Sequence, residues 1–408
     1  MKLYLKLIFL LILFLHVALV KLTVFIPVRT MALFVFVGLL FLVHHRQFVN
    51  FTSRYAQIFL VFAVMAFLGG FLAVLQGEQL YSLLEHLLRH IIQPLLILSS
   101  VYLAVQIFGL TFVVNAILVF VAMSAAVAIL QFLGIELAWD IRRFFGNIQG
   151  DPADIKEILR TRGRPLGLLL TPIMFSYHLV SGYVVANLLY RHGLMQPRLY
   201  ALVTIVALFA SAANGTRSLV LGILIHECLQ FVLRGRLSSY AWLTALAVGA
   251  VGGFYYLEAI DSRLVSVEDA SAVSRVVLLK FGLQLFLNNP FGYGWGLNPG
   301  DHAWLFWELL SDLPKATAIF RLGIHNAFIN FLLKYGIFGL SVFALLAALN
   351  LRKTFALLVT FLAYFINALF HNAGVFVGDI YFWFAFAIFL HLYETRFDVS
   401  FHGDERRP

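Results

Sequence analysis

Long apolar runs restrict the possible folds of this chain more than any other feature. Residues 56–76 and 111–133 contain no charged side chain, and about 20 apolar residues in a helix cross the hydrocarbon core of a bilayer. Charged residues make up only 12% of the chain, against about 25% in soluble proteins. In lipid only helices and closed barrels satisfy their own backbone hydrogen bonds, and these runs have helix length. The sequence therefore predicts an all-α polytopic membrane protein.

About twelve transmembrane helices fit the apolar pattern, in a single integral membrane domain covering residues 1–408. The predicted spans are 3–20, 22–43, 56–76, 88–108, 111–133, 166–189, 199–213, 217–233, 239–256, 325–349, 354–371 and 377–393. The first span is basic and then apolar, as in a signal peptide. However, Lys21 and a second apolar run follow it instead of a small-residue cleavage site, so we expect a membrane helix.

Short basic loops set the predicted orientation. Pairs of cations fall on one side of a twelve-span chain, together with both termini. They are Arg46 and Arg54, Arg191 and Arg198, Arg234 and Arg236, and Arg352 and Lys353. Because cytoplasmic loops carry the excess of Lys and Arg, this side is predicted to be the cytoplasm, with residues 394–408 as a cytoplasmic tail.

Two long connections, 134–165 and 257–324, then lie on the opposite face. Both are basic. Contact with anionic lipid headgroups, at about 1 kcal/mol per cation, and binding of a phosphate-bearing ligand both explain this charge. Ser266 followed by Asp269 resembles a capping box, which predicts an interfacial helix ending near Leu287.

His325 and Asn326 stand where the tenth span begins. A helix starting there would place the imidazole at the positive end of the helix dipole, which favours the neutral ring and suits it to act as a base. An ordinary interfacial histidine explains the same position. The sequence also contains a second His-Asn pair, His371 and Asn372, near another helix end.

Two arginines stand out within the apolar pattern. Arg217 begins a predicted helix, where a cation is unfavourable unless an anion lies nearby. Arg29 follows Pro27 inside a span. Its side chain either reaches to the membrane interface or faces a cavity in the protein, and the sequence leaves both explanations open. His226 and Glu227 are either a buried polar pair or, in a transporter, a proton relay.

Four motifs in order resemble the O-antigen ligase and O-antigen polymerase superfamily of bacterial inner membranes. They are Arg162-Gly163-Arg164-Pro165; Asn214-Gly215-Thr216-Arg217-Ser218; Arg275 followed by Asn289-Pro290-Phe291-Gly292-Tyr293-Gly294-Trp295-Gly296; and His325-Asn326-Ala327-Phe328 followed by Gly336 and Gly339. The second motif reads Thr216-Arg217-Ser218 where the commoner form in the family is Ser-Arg-Gly.

The resemblance implies a metal-independent glycosyltransferase with a periplasmic active site and no cofactor. Such an enzyme takes a glycan from undecaprenyl pyrophosphate and passes it to lipid A–core or to another glycan acceptor. Membrane lipids are further expected partners, and no binding of nucleic acid is expected. His325, Arg217 and Arg275 are the implied catalytic residues. The implied substrate-binding residues are Arg162, Arg164, Arg263, Arg321, Asn326 and Arg29.

Three functions stay open from the sequence. A ligase and a polymerase of this family differ only in the acceptor, and the ligase is favoured by overall size and layout. A secondary transporter or flippase predicts an internal repeat and ionisable residues at mid-membrane depth, of which only His226 and Glu227 are candidates. No metal-ligand motif and no phosphate-binding loop occurs in the sequence.

Overall fold

The computed structural model describes residues 1–23, 26–149, 164–234 and 270–402. Within these ranges the regular elements are helices, and none is a strand, which confirms the all-α prediction. The chain divides into two compact units. Unit 1 comprises Met1–Leu60, Ile92–Thr216 and Ile380–Pro408, and unit 2 comprises Val61–Ile91 and Arg217–Asp379.

The helices are numbered in chain order. They are α1 Lys2–Val17, α2 Val28–Val43, α3 His45–Arg54, α4 Ala56–Leu75, α5 Leu80–Leu87, α6 Gln93–Phe108, α7 Leu110–Phe132, α8 Glu136–Ile148, α9 Pro172–Arg191, α10 Pro197–Ala213, α11 Arg217–Arg234, α12 Ala270–Asn288, α13 Trp307–Leu310, α14 Ala327–Leu349, α15 Leu351–Thr360, α16 Leu362–Ala368 and α17 Tyr381–His402. A π-helical turn, Leu88–Ile92, joins α5 to α6, and two 3-10 helices, Pro299–Phe306 and Ala316–Phe320, flank α13.

Five helical runs in the described ranges are long and apolar enough to cross a membrane. They are Ala56–Leu75, Leu80–Phe108, Leu110–Phe132, Pro172–Arg191 and Ala327–Leu349. Counting the bent pairs α2–α3 and α15–α16 as one span each raises the number to seven. The count of about twelve is not confirmed, and the predicted span 239–256 lies outside the described residues.

Three observed helical segments differ from the predicted spans in where they begin, bend or end. The second span begins at Val28, with Pro27 as its N-cap, because proline fixes a backbone that suits a helix start and disfavours helix in the residue before it. The span predicted at 354–371 bends by 69° between α15 and α16. In contrast, α17 continues to His402, past the predicted start of the tail at residue 394.

Unit 1 is organised around α9, which is buried along nearly its whole length and packs against α7, α10 and α17. Its start is well defined: the Thr171 side chain accepts a hydrogen bond from the Met174 N–H, and Pro172 occupies the first turn, where its missing N–H costs nothing. Gly182 then allows close approach to Val121 of α7.

Unit 2 contains a broken helix. Gly336 interrupts α14 with φ 63° and ψ −165°. The Leu333 carbonyl and the Ile337 N–H, on either side of the break, therefore need hydrogen-bond partners outside the helix. The turn 289–296 supplies them, because the Tyr293 N–H donates to the Leu333 carbonyl at 2.7 Å and the Ile337 N–H donates to the Pro290 carbonyl at 2.9 Å. Irregular backbone at membrane depth is stable only when protein satisfies it in this way.

Glycine is required on both sides of this contact. Gly292 has φ +91°, and a Cβ there would lie 2.7 Å from the Gly336 nitrogen. Trp295, from the same turn, packs over Gly69 of α4 and donates to the Tyr335 hydroxyl at 3.0 Å. The Tyr335 hydroxyl in turn donates to the Phe376 carbonyl at 2.9 Å.

The predicted helix of the second long connection is present as α12, which ends one residue beyond Leu287. The proposed cap at Ser266 and Asp269 lies outside the described residues. The helix α12 packs against α14 and both 3-10 helices, and its apolar residues Phe281 and Leu285 belong to the core of unit 2.

Candidate functional site

Asn326 defines the start of α14. Its side-chain oxygen accepts hydrogen bonds from the backbone N–H groups of Phe328 and Ile329, both at 3.0 Å. An N-cap asparagine satisfies donors that the first helical turn cannot pair internally. The helix therefore begins at Ala327, and His325 lies immediately before the cap.

His325 has the properties of a neutral base. The ring is half-buried, and its Nδ1 is buried without a hydrogen-bond partner among the described residues. Burial lowers the pKa of His325, and the positive charge of Arg275 lowers this pKa further. The sequence predicted a neutral ring from the helix dipole, whereas these two causes lie in the tertiary structure.

Arg275 lies near the start of α12, close enough to His325 for its charge to act on the ring. The helix α12 approaches the first turn of α14 at Gly282, where a Cβ would lie 2.7 Å from Ile329 Cγ2. This close helix packing holds Arg275 and His325 in one unit, with a cation beside a ring that favours the neutral state.

Arg217 is exposed at the first position of α11. The next residue, Ser218, holds the start of this helix through side-chain hydrogen bonds. The Ser218 hydroxyl donates to Asn367 Oδ1 at 2.8 Å, and His371 Nε2 lies 3.2 Å from the same hydroxyl. Since the hydroxyl proton goes to Asn367, His371 donates to Ser218 Oγ. All three anchoring side chains are buried.

The second His-Asn pair connects the helix of Arg217 with that of His325. Asn330, in the first turns of α14, donates to the Asn372 carbonyl at 3.1 Å and to the Ile324 carbonyl at 2.7 Å. A Cβ on Gly374 would lie 2.7 Å from Ala327 Cβ. The sequence signal for this contact was the repeated His-Asn pair, which gives no role by itself.

Arg164 connects two of the sequence motifs within unit 1. Its guanidinium donates to the Asn214 carbonyl at 2.8 Å and the Gly215 carbonyl at 3.0 Å. The Asn214 side chain donates to the Pro165 carbonyl, and Thr216 donates to Asn214. These contacts fix the turn, and a role for Arg164 in binding substrate stays a prediction.

The remaining predicted site residues belong to other segments of the chain or lie outside the described ranges. Arg321 is exposed directly after the second 3-10 helix. Arg29 is half-buried at the second position of α2 in unit 1. Arg162 and Arg263 lie outside the described residues. In the described part of the chain, no group of three or more His, Cys, Asp or Glu side chains is placed to hold a metal ion.

The family model described as O-antigen ligase matches residues 199–344. No match was found among curated proteins or among solved structures. The matched segment contains Arg217, Arg275 and His325, three of the residues on which the resemblance was based, and it ends beyond the break at Gly336. The chain is therefore a membrane protein whose residues 199–344 are similar to the O-antigen ligase family.

Proposed function

We propose that this protein transfers a glycan from undecaprenyl pyrophosphate to lipid A–core at the periplasmic face of the bacterial inner membrane. The observation that carries the proposal is the environment of His325, a half-buried ring with an unpartnered Nδ1 among the described residues and with Arg275 beside it. A base and a neighbouring cation are what transfer from a diphosphate requires.

The reaction exchanges one bond for another. The acceptor hydroxyl oxygen forms a bond to the anomeric carbon of the glycan, while the bond from that carbon to the diphosphate oxygen breaks. His325 takes the hydroxyl proton, and general-base help of this kind gives about 10²–10⁴-fold in rate. The lipid diphosphate leaves with the bonding electron pair.

Arginine is suited to the leaving group. Negative charge builds up on the diphosphate as the bond breaks, and a guanidinium stabilises it through charge-assisted, often bidentate hydrogen bonds. Arg275 and Arg217 are the proposed ligands, with Arg164, Arg321, Arg29, Arg162 and Arg263 as further candidates and Asn326 fixing the start of the helix. No metal or other cofactor is part of this proposal.

The proposed topology places this chemistry outside the cytoplasm. With about twelve spans and cytoplasmic termini, both long connections face the periplasm. The starts of α11 and α14 then lie at the periplasmic surface. This is the side on which lipid A–core is available as acceptor.

Deletion of the gene tests the proposal when lipopolysaccharide banding and the lipid-linked glycan pool are measured together. Bare lipid A–core, with long polymer accumulating on undecaprenyl pyrophosphate, is the expected result for a ligase. A single repeat unit on lipid A–core, with no ladder, would instead assign the polymerase reaction. An unchanged pattern in both measurements would overturn the proposal.

A further inference from the structure

A second group of basic side chains lies deeper in unit 2, apart from His325. Lys334 Nζ, on α14, lies 3.3 Å from His90 Nε2. His86 stacks on His90, with ring centroids 5.6 Å apart and planes inclined by 9°. A Cβ built on Gly378 would lie 3.4 Å from Arg89 Nε and 3.6 Å from His90 Cε1, so both side chains converge there. These four residues, Lys334, His86, Arg89 and His90, are called the basic group.

The π-helical turn Leu88–Ile92 carries two members of the basic group. Pro94 follows within the first turn of α6 and has no N–H to donate to the carbonyl four residues earlier, which belongs to His90. The helix accommodates the proline by widening at this point. Single π-turns inside helices occur frequently at functional sites.

The basic group has donors without acceptors. As an ammonium, Lys334 can only donate, so His90 Nε2 accepts and the ring proton is on Nδ1. His90 is 3% exposed, and its Nδ1, like that of His86, is buried without a partner among the described residues. A buried donor left in this state is costly.

Two carboxylates in the described ranges act on the basic group without forming an ion pair with it. Glu78 and Glu85 act electrostatically on His86. Among the described contacts, however, neither Glu78 nor Glu85 forms an ion pair with a member of the basic group. Clustered cations at membrane depth are unfavourable without counter-charge and mark a functional site by default.

We propose that the basic group binds the phosphate of a lipid headgroup. Phosphate offers several acceptor oxygens and negative charge, which match two cationic side chains and the imidazole N–H donor of His90, with His86 stacked beside it. Lys334 lies eight residues beyond the Asn326 cap, about 12 Å along the helix axis, within an apolar run that can cross a membrane. Because this position lies within an apolar, membrane-spanning run, a phosphate bound there is expected to be the headgroup of a molecule with a hydrophobic tail.

Apolar surface for such a tail is present on the same elements. Leu80, Tyr81 and Leu84 of α5 are exposed, as are Ile337 and Phe338 of α14. The site is separate from His325 and Arg275, and its occupancy does not depend on the transfer reaction proposed above. Either a polyprenyl phosphate or a phospholipid supplies the chemistry that the basic group recognises.

Native mass spectrometry of the purified full-length protein tests this site. The probes are undecaprenyl phosphate, phosphatidylglycerol and diacylglycerol, which lacks phosphate. The wild type is expected to retain both phosphate lipids, and Lys334→Met, which keeps the stem but removes the charge, is expected to retain them at least about 10-fold more weakly. Stronger retention of undecaprenyl phosphate identifies a polyprenyl headgroup as the occupant, and equal retention identifies phospholipid; both results support the site.

Further variants separate binding from folding. Arg89→Gln alters an exposed residue and is expected to weaken retention without loss of the folded protein in size-exclusion chromatography, whereas Lys334→Arg is expected to keep it. Lys353→Gln, an exposed change on α15, is the matched control. Equal retention by the wild type, Lys334→Met and Arg89→Gln would overturn the proposal. Equal binding of diacylglycerol, or thermal stabilisation by inorganic phosphate in place of lipid, would overturn it as well.

Discussion

The two His-Asn pairs of this chain have the same sequence and opposite environments. At the first pair, the Asn326 side chain caps α14, and His325 Nδ1 has no hydrogen-bond partner among the described residues. At the second pair, the His371 ring is 6% exposed and donates to Ser218, while the Asn372 carbonyl accepts from Asn330. The first arrangement leaves an imidazole able to accept a proton, and the second uses the imidazole to hold the start of α11.

Replacing His325 should have the largest effect on transfer. His325→Ala removes the proposed base, so the rate of glycan transfer should fall by about 10²–10⁴-fold, with unchanged protein levels in the membrane. Transfer in reconstituted vesicles measures this effect. His45→Ala, at an exposed histidine of α3, serves as the control and should retain full activity; full activity of His325→Ala would remove the base assignment.

Arg275 should come next in effect. Arg275→Gln removes the cation proposed to stabilise the leaving diphosphate, and losing one such electrostatic contact typically costs about 10²–10³-fold in rate. Arg275→Lys keeps the charge but not the forked geometry and should lie between Arg275→Gln and the wild type. The same vesicle assay compares the three proteins, and a rate for Arg275→Gln equal to that of the wild type would contradict the role.

His371 should show the opposite pattern, because its role is structural. His371→Ala removes the donor to the buried Ser218 hydroxyl, so the protein should lose about 1–3 kcal/mol of stability, measured as a lower thermal unfolding temperature in detergent. His371→Gln places an amide N–H near the position of Nε2 and should restore much of the stability. If His371→Ala lost transfer at unchanged stability, the contrast between the two pairs would fail.

The Asn326 cap should give the smallest effect. Asn326→Ala leaves two N–H groups of the first turn of α14 without their acceptor, at a cost of about 1 kcal/mol. Asn326→Asp keeps a side-chain oxygen and should stay close to the wild type in the same unfolding measurement. A lower stability for Asn326→Asp than for Asn326→Ala would contradict the capping role.

Local signals in the sequence predicted several features of this structure. Apolar run length gave the all-α class, the helical pattern placed the end of α12 within one residue, and the tenth predicted span began two residues before α14. The motif Asn214-Gly215-Thr216-Arg217-Ser218 likewise contains the turn that begins α11. Each of these signals acts over a few residues and needs no tertiary contact.

Features set by distant contacts were not predictable in this way. Lys334 and His90 are 244 positions apart, and Ser218 and His371 are 153 apart. In the sequence Gly336 is only part of a motif, whereas in the structure α14 breaks at Gly336 and the flanking backbone pairs with the turn 289–296. The neutrality of His325 arises from burial and from Arg275, neither of which the helix start alone reveals.

The pH dependence of glycan transfer, measured for the wild type and Arg275→Gln in reconstituted vesicles, tests the central claim most directly. The pKa of His325 is lowered from 6.5, so the base is neutral above that lowered value and transfer should decline only as the pH falls through it. Removing the charge of Arg275 should raise this pKa, and the acidic limb of the profile should move to higher pH in the variant. An acidic limb at the same pH in both proteins, or one retained in His325→Ala, would contradict the assignment of His325 as the base next to Arg275.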